Sequence, residues 1–297
     1  MEYNYEKLKE AGKVSREALE YAKSAIKPGR KLLDIANDIE RFIEGKGCTQ
    51  SFPVNLSANS EAAHYTPEFA DERVVGEKDV IKVDLGARSG TYLTDCAQTA
   101  CLDPAYSKLV ESSEKALDNA ISMVKAGRKV SEIGAEIEKT AKTGGFNVIK
   151  NLGGHGIEQY ELHANIFIPN FGNGDNTELE EESVIAIEPF LTTGVGYVVE
   201  GKSLQIFQKV SDRNPRSADA REALSHITNE FSTYPFAMRW LIGKMGAQEF
   251  RARRAIAELI TIGDLESFPV LVEKGNGIVA QSEKTLIVTK DSCEIVT

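Results

Sequence analysis

Four acids and one histidine in this chain sit where acids and histidines are awkward. Asp84 follows Val80-Ile81-Lys82-Val83, Asp95 stands inside Tyr92-Leu93-Thr94-Asp95-Cys96, and Glu188 follows Val184-Ile185-Ala186-Ile187. Glu283 lies between Ile278-Val279 and Leu286-Ile287-Val288, and His155 is flanked by Gly154 and Gly156. Aspartate is a poor strand residue and a costly one to bury, so carboxylates set into β-branched runs need a positive partner. Taken singly, each is an ordinary structural residue. Taken together, four hard oxygen donors and one imidazole suit divalent Mn, Fe, Co or Zn. One ion has no use for four carboxylates, whereas two ions ~3.5–4 Å apart, bridged by carboxylates, use them all in a recurring hydrolytic arrangement.

Four histidines occur in all. His155 and His163 share the segment Gly153-Gly154-His155-Gly156-Ile157-Glu158-Gln159-Tyr160-Glu161-Leu162-His163. The glycines beside His155 leave its imidazole unshielded and let the backbone approach a ligand. His64 lies in a turn-rich loop after Phe52-Pro53-Val54-Asn55, and His226 belongs to the charged face of a helix, where a structural role is expected.

The elements that must position these groups follow from pattern. Residues 80–101 read as a hairpin, with turn chemistry at Gly86 and Ser89-Gly90 and a second strand from Thr91 to Thr94. Leu8, Ala11, Val14, Ala18, Leu19, Ala22 and Ile26 make the N-terminus an amphipathic helix, and Leu32–Gly47 reads as another. That second helix recurs. KPGRKLLDIANDIERFIEGKG at 27–47 matches KAGRKVSEIGAEIEKTAKTGG at 125–145, and Glu77–Asp84 is echoed by Glu181–Glu188. The chain therefore reads as two related halves of helices followed by strands, packed as one α+β unit, with Glu188 at the place of Asp84. From about 205 to 268 the rhythm breaks into three expected helices: one through Ala218–Ile227, one started by Pro235, and one from Gln248 to about Ile260. Within 205–264, nine Lys/Arg stand against seven Asp/Glu, in a chain whose net charge is −10.

That acidic balance argues against nucleic acid as the main partner. No run approaches the ~18–20 apolar residues of a membrane span, and the N-terminus lacks a signal-type apolar core, so a cytoplasmic protein is expected. Cys48, Cys96, Cys101 and Cys293 show no metal-type spacing and are expected as reduced thiols. Cys96, next to Asp95 on a strand, is expected to face away from the acids.

The segments FPVNLSANSEAAHYTP, VDLGARSGTYLTDCA, NLGGHGIEQYELHA, AIEPF and AQSEKT, in that order across essentially the whole chain, resemble the motif series of the type 2 methionine aminopeptidases, in the form found in archaea. The resemblance implies a pita-bread α+β fold with an internal pseudo-twofold repeat, a single catalytic domain over 1–297, and a helical insertion over 205–268. It implies removal of the initiator methionine from nascent chains, with a small second residue preferred, by a monomer meeting its substrate at the ribosome exit, without nucleic acid or membrane. It implies two divalent metal ions, Asp84 holding one, His155 and Glu188 the other, and Asp95 and Glu283 both. Glu188 would also move the proton, and His64 and His163 would contact the substrate amide and the developing tetrahedral centre. Phe52, Leu162, Phe268 and Leu271 would form the methionine pocket. Ile206 departs from the pocket histidine of some type 2 enzymes. The alternatives are a proline-specific peptidase of the same fold and a non-catalytic pita-bread binding protein.

Overall fold

The computed structural model describes residues 3–297. Helix α1 (Tyr5–Ala25) begins at Asn4, whose side chain accepts a hydrogen bond from the Lys7 amide and so satisfies one of the free donors of the first turn. It buries Leu8, Ala11, Val14, Ala18 and Ala22 along one stripe, as its periodicity predicts. Helix α2 (Leu32–Gly45) contributes Leu32, Ile35, Ala36, Ile39 and Ile43 to the same core. Both cover an antiparallel sheet of Asn55–Ala58, Val80–Leu85 and Cys96–Cys101, with Val80–Leu85 in the middle.

The second half repeats that order. Helices α3 (Ser107–Met123) and α4 (Val130–Gly144) share a core with a sheet ordered Glu161–Pro169, Gly153–Glu158, Val184–Ile187, Lys284–Val288 and Cys293–Ile295. Here Val184–Ile187, the echo of Val80–Leu85, runs between Gly153–Glu158 and Lys284–Val288. The sequence echo is legible bond by bond. Gly29 N–H donates to Val75 O and Gly127 N–H to Leu179 O, both at 2.8 Å, and Val75 and Leu179 return bonds to Arg30 O and Arg128 O at 2.9 Å. Both glycines have positive φ, 80° and 75°, a conformation that side chains beyond glycine rarely take.

The expected hairpin is nested. Val80–Leu85 pairs directly with Cys96–Cys101, while Ala87–Ser89 and Tyr92–Leu93 form a smaller hairpin between them that pairs with Thr49–Gln50. Asp84 thus lies within its strand rather than ending it, opposite Ala97, and Asp95 precedes the strand Cys96–Cys101. Cys96 turns into the apolar core, its thiol donating to Leu85 O, and all four cysteines are free.

After Val184–Ile187 a long strand, Val198–Lys209, runs past position 205 and pairs with Leu265–Glu273, so the helical segment is held at its base by a ladder. Between them lie α5 (Ala218–His226), a π-helical turn (Ile227–Phe231), α6 (Met238–Lys244) and α7 (Glu249–Thr261), with their own core around Phe236, Leu241, Ile256 and Leu259. Pro235 does not start a helix. It precedes the short strand Phe236–Ala237, which pairs with Ile206 and Phe207, because the extended residues after it complete a sheet edge. Buried Arg239 ties this segment to α2, pairing with the Glu40 carboxylate, while Trp240 Nε1 donates to the same carboxylate at 3.0 Å. Arg239 also donates to Thr66 Oγ1 at 2.6 Å and to Pro67 O at 3.2 Å. No helix among the described residues is long and apolar enough to cross a membrane.

Candidate metal centre

The sheet of the first half meets the second half through an isolated bridge between Ala97 and Glu283, in which Glu283 N–H donates to Ala97 O at 2.9 Å. The acids of both halves thereby converge. Three overlapping groups each bring one donor atom per residue within 4.8 Å of one another: Asp84, Asp95 and Glu283; His155, Glu188 and Glu283; and Asp95, His155 and His163. The five expected ligands are all in this set, and His163 is a sixth donor within reach.

His155 Nδ1 is 3.0 Å from Gly156 O, a bond that places the proton on Nδ1 and leaves the Nε2 lone pair free to ligate. Nε2 faces Asp95 at 3.4 Å and Glu188 at 3.9 Å. Burial pushes the His155 pKa down to about 4, which keeps the ring neutral and able to ligate at neutral pH. The flanking glycines serve the sheet rather than a ligand. A Cβ on Gly154 would stand 2.2 Å from Ala186 O, and one on Gly156 would stand 2.8 Å from the Ile166 side chain.

Burial drives Asp84, Glu188 and Glu283 well above the usual carboxylate range, with the Asp95 charge adding to each, and lifts Asp95 to about 7. Asp84 and Asp95 act on each other, so the rise belongs to the pair. Asp84 Oδ1, Asp95 Oδ1 and Glu283 Oε1 are buried with no hydrogen-bond partner among the described residues. Buried carboxylate oxygens left bare are costly, and a divalent cation compensates them directly. The donor set fits such ions.

Two amides that sequence reasoning passed over support the acids. Gln281 Nε2 reaches both Asp84 Oδ2 and Glu283 Oε2 at 3.3 Å, and Asn55 faces Asp84 across the ladder. For Gln281 the signal was available, since residues two apart on a strand share a face.

Above the acids opens a cleft of about 410 Å³. Its apolar wall includes Phe52, Leu162, Ile206, Pro235 and Phe268. His64 and His163 both stand beside Phe268, at ring distances of 5.9 and 6.4 Å, and His163 is 4.4 Å from the His155 ring. His64 takes φ 67°, uncommon for a non-glycine residue and of a kind that clusters at functional sites. Leu271 is a correction. It does not line the cleft; it pairs with Ala63 on the neighbouring strand and packs against the cluster of Ala63 and Phe190, which do line it.

Residues 6–290 match the model of metallopeptidase family M24. The chain belongs to this family. It is 46% identical over 293 residues, 98% of its length and 99% of the relative's, to a methionine aminopeptidase of Thermococcus onnurineus. In fold it resembles a thermophilic Arx1, with TM-score 0.85, 20% identity and coverage of 98% of this chain and 89% of that one. It also resembles the methionine aminopeptidase of Thermotoga maritima, with TM-score 0.71, 24% identity and coverage of 98% and 95%. The expected pita-bread α+β architecture is thus the one observed, and a metal-dependent hydrolase is the family's chemistry.

Proposed function

We propose that the chain removes the initiator methionine from nascent polypeptides, with a small second residue preferred. The observation that carries this reading is the convergence of Asp84, Asp95, His155, Glu188 and Glu283 within ligand distance at the floor of a cleft with an apolar wall. The near full-length likeness to a methionine aminopeptidase supports the choice of substrate.

In this reading the five residues would hold two divalent ions, of Co, Mn, Fe or Zn: Asp84 would serve one, His155 and Glu188 the other, and Asp95 and Glu283 would serve both. When bound, the ions supply a Lewis acid for the scissile carbonyl and make a water acidic enough to attack near neutral pH. Phe52, Leu162, Ile206, Pro235 and Phe268 receive the methionine side chain. The Glu188 carboxylate accepts the water's proton and delivers it to the departing amine. His163 donates to the oxyanion that develops on the carbonyl, and His64 orients the peptide amide. The substrate is the amino terminus of a chain leaving the ribosome, met by a cytoplasmic monomer.

The test is methionine release from Met-Ala-Ser and Met-Leu-Ser peptides in the presence of each metal and after chelation. Release from Met-Ala-Ser that a chelator abolishes and metal restores is the expected result. Release of non-methionyl residues at equal rate, or activity indifferent to chelation, defeats the reading.

A further inference from the structure

Phe167 is 47% exposed, yet it lines the same cleft as the acids. It lies directly opposite His155 in the ladder between Glu161–Pro169 and Gly153–Glu158, and directly opposed residues project from the same face. Its ring lies across Gly153, where a Cβ would come within 2.9 Å of Phe167 Cζ. His163 belongs to the other direction along the same ladder, beside Ala164, which pairs with Gly156. The order along the floor is therefore His163, then His155, then the Phe167 ring over Gly153. Leu162 adjoins His163 in the chain and Phe268 lies 6.4 Å from its ring, whereas Leu152 adjoins Gly153 at the Phe167 end; all of them line the cleft.

On the aminopeptidase reading, methionine fills the wall of Phe52, Leu162 and Phe268, and the rest of the peptide runs past Gly153 towards Phe167. An extended peptide advances ~3.3 Å per residue and turns alternate side chains to opposite faces. Gly153 is two residues from His155, so the Phe167 ring over it stands ~7 Å along the strand from His155, the advance of two peptide residues. We propose that Phe167 forms a subsite for the third residue of the substrate and favours an apolar or aromatic side chain there. The half-exposed ring offers an apolar face that such a side chain would cover. A serine or an acid at the third position would gain nothing from it.

This inference rests on the aminopeptidase reading and has its own test. Metal-loaded enzyme is assayed on Met-Ala-Leu-Ser and Met-Ala-Ser-Ser, and the ratio of kcat/KM is compared among wild type, Phe167→Ala and Phe167→Leu. Wild type is expected to favour the leucyl peptide about five- to tenfold, mostly through KM, a range set by partial apolar burial of one side chain. Phe167→Ala should bring the ratio close to one, and Phe167→Leu should keep part of it. Because each ratio is taken on one preparation, a fraction of misfolded protein cancels. A wild-type ratio near one, or an undiminished ratio in Phe167→Ala, overturns the subsite while leaving methionine release intact. Failure of wild type to cleave either peptide with any metal overturns the underlying reading and the subsite with it.

Discussion

The Thr285 hydroxyl holds both backbone groups of Asp95, accepting from its N–H at 2.8 Å and donating to its C=O at 2.7 Å. Thr285 stands two residues after Glu283 on the same chain segment, and Glu283 N–H bonds Ala97 O, two residues after Asp95. The two acids expected to bridge the metals are thus spaced by backbone bonds, with little left to rotamer choice. Thr285→Val keeps the shape and removes the hydroxyl. It should lower metal affinity about 10- to 100-fold and cost ~1–3 kcal/mol of stability, since a buried amide loses its acceptor. Calorimetric metal titration and urea unfolding measure the two effects; unchanged affinity would show that the carboxylates are positioned by the metals alone.

Asp95→Asn should stabilise the metal-free protein while abolishing turnover. The folded-state pKa of Asp95 is raised to about 7, so between the unfolded value near 3.8 and 7 the folded state binds more protons, and stability falls as pH rises through that window. The asparagine escapes this loss. Its advantage should grow from pH 4 to pH 7 and reach about 1–3 kcal/mol, read from thermal unfolding in chelator. A metal-free variant less stable than wild type at pH 7 would mean that the acids do not repel one another.

His155 and His163 lie close together, with ring centroids 4.4 Å apart, but different work is expected of each. His155→Ala should remove or weaken one metal equivalent in titration. His163→Ala should bind metal as wild type does and lose ~10²–10³ in kcat with little change in KM, the range for one oxyanion donor. Since His163 shares a donor group with Asp95 and His155, its retention of full metal stoichiometry is the deciding measurement.

Burial, with a contribution from His163, pushes the His64 pKa down to about 4 from an unfolded value near 6.5. The stability of a ring kept neutral is complete above pH 6.5 and is lost as pH falls towards 4. His64→Asn, chosen because asparagine tolerates the left-handed backbone, should lose ~1 kcal/mol less than wild type between pH 7 and pH 5, after discounting for the ring's partial exposure. Parallel pH dependences in urea unfolding would show that the imidazole is already hydrated in the folded state.

The acids were legible in the sequence because each breaks an apolar run, a local signal that needs no knowledge of the fold. The repeat was legible for a similar reason, since Gly29-Arg30-Lys31 and Gly127-Arg128-Lys129 make the same backbone turn. Most of what supports the acids was not. Asn55 and Thr285 are an ordinary amide and hydroxyl until strands far apart in sequence place them beside Asp84 and Asp95, and of the two contacts of Gln281 only the one to Glu283, two residues on, could be read from the chain. Leu271 was placed in the pocket by likeness to a motif position alone, which does not separate a lining residue from one that packs against the lining, and Pro235 was misread because the helix rule holds only where no sheet edge competes for the next residues.

The Arg239–Glu40 pair makes the helical segment unsuitable as a portable cassette. An engineer trimming the chain to a minimal scaffold would excise the residues between Lys209 and Leu265 and rejoin the ladder. Doing so would strand the Glu40 carboxylate, which is 7% exposed, facing the gap left by Arg239 and Trp240. A lone buried acid costs several kcal/mol, and Thr66 and Pro67, close after His64 in the chain, would lose the Arg239 donor in the same cut. A graft or deletion at this site must therefore carry a compensating apolar residue at position 40, although that position lies 199 residues away in the chain.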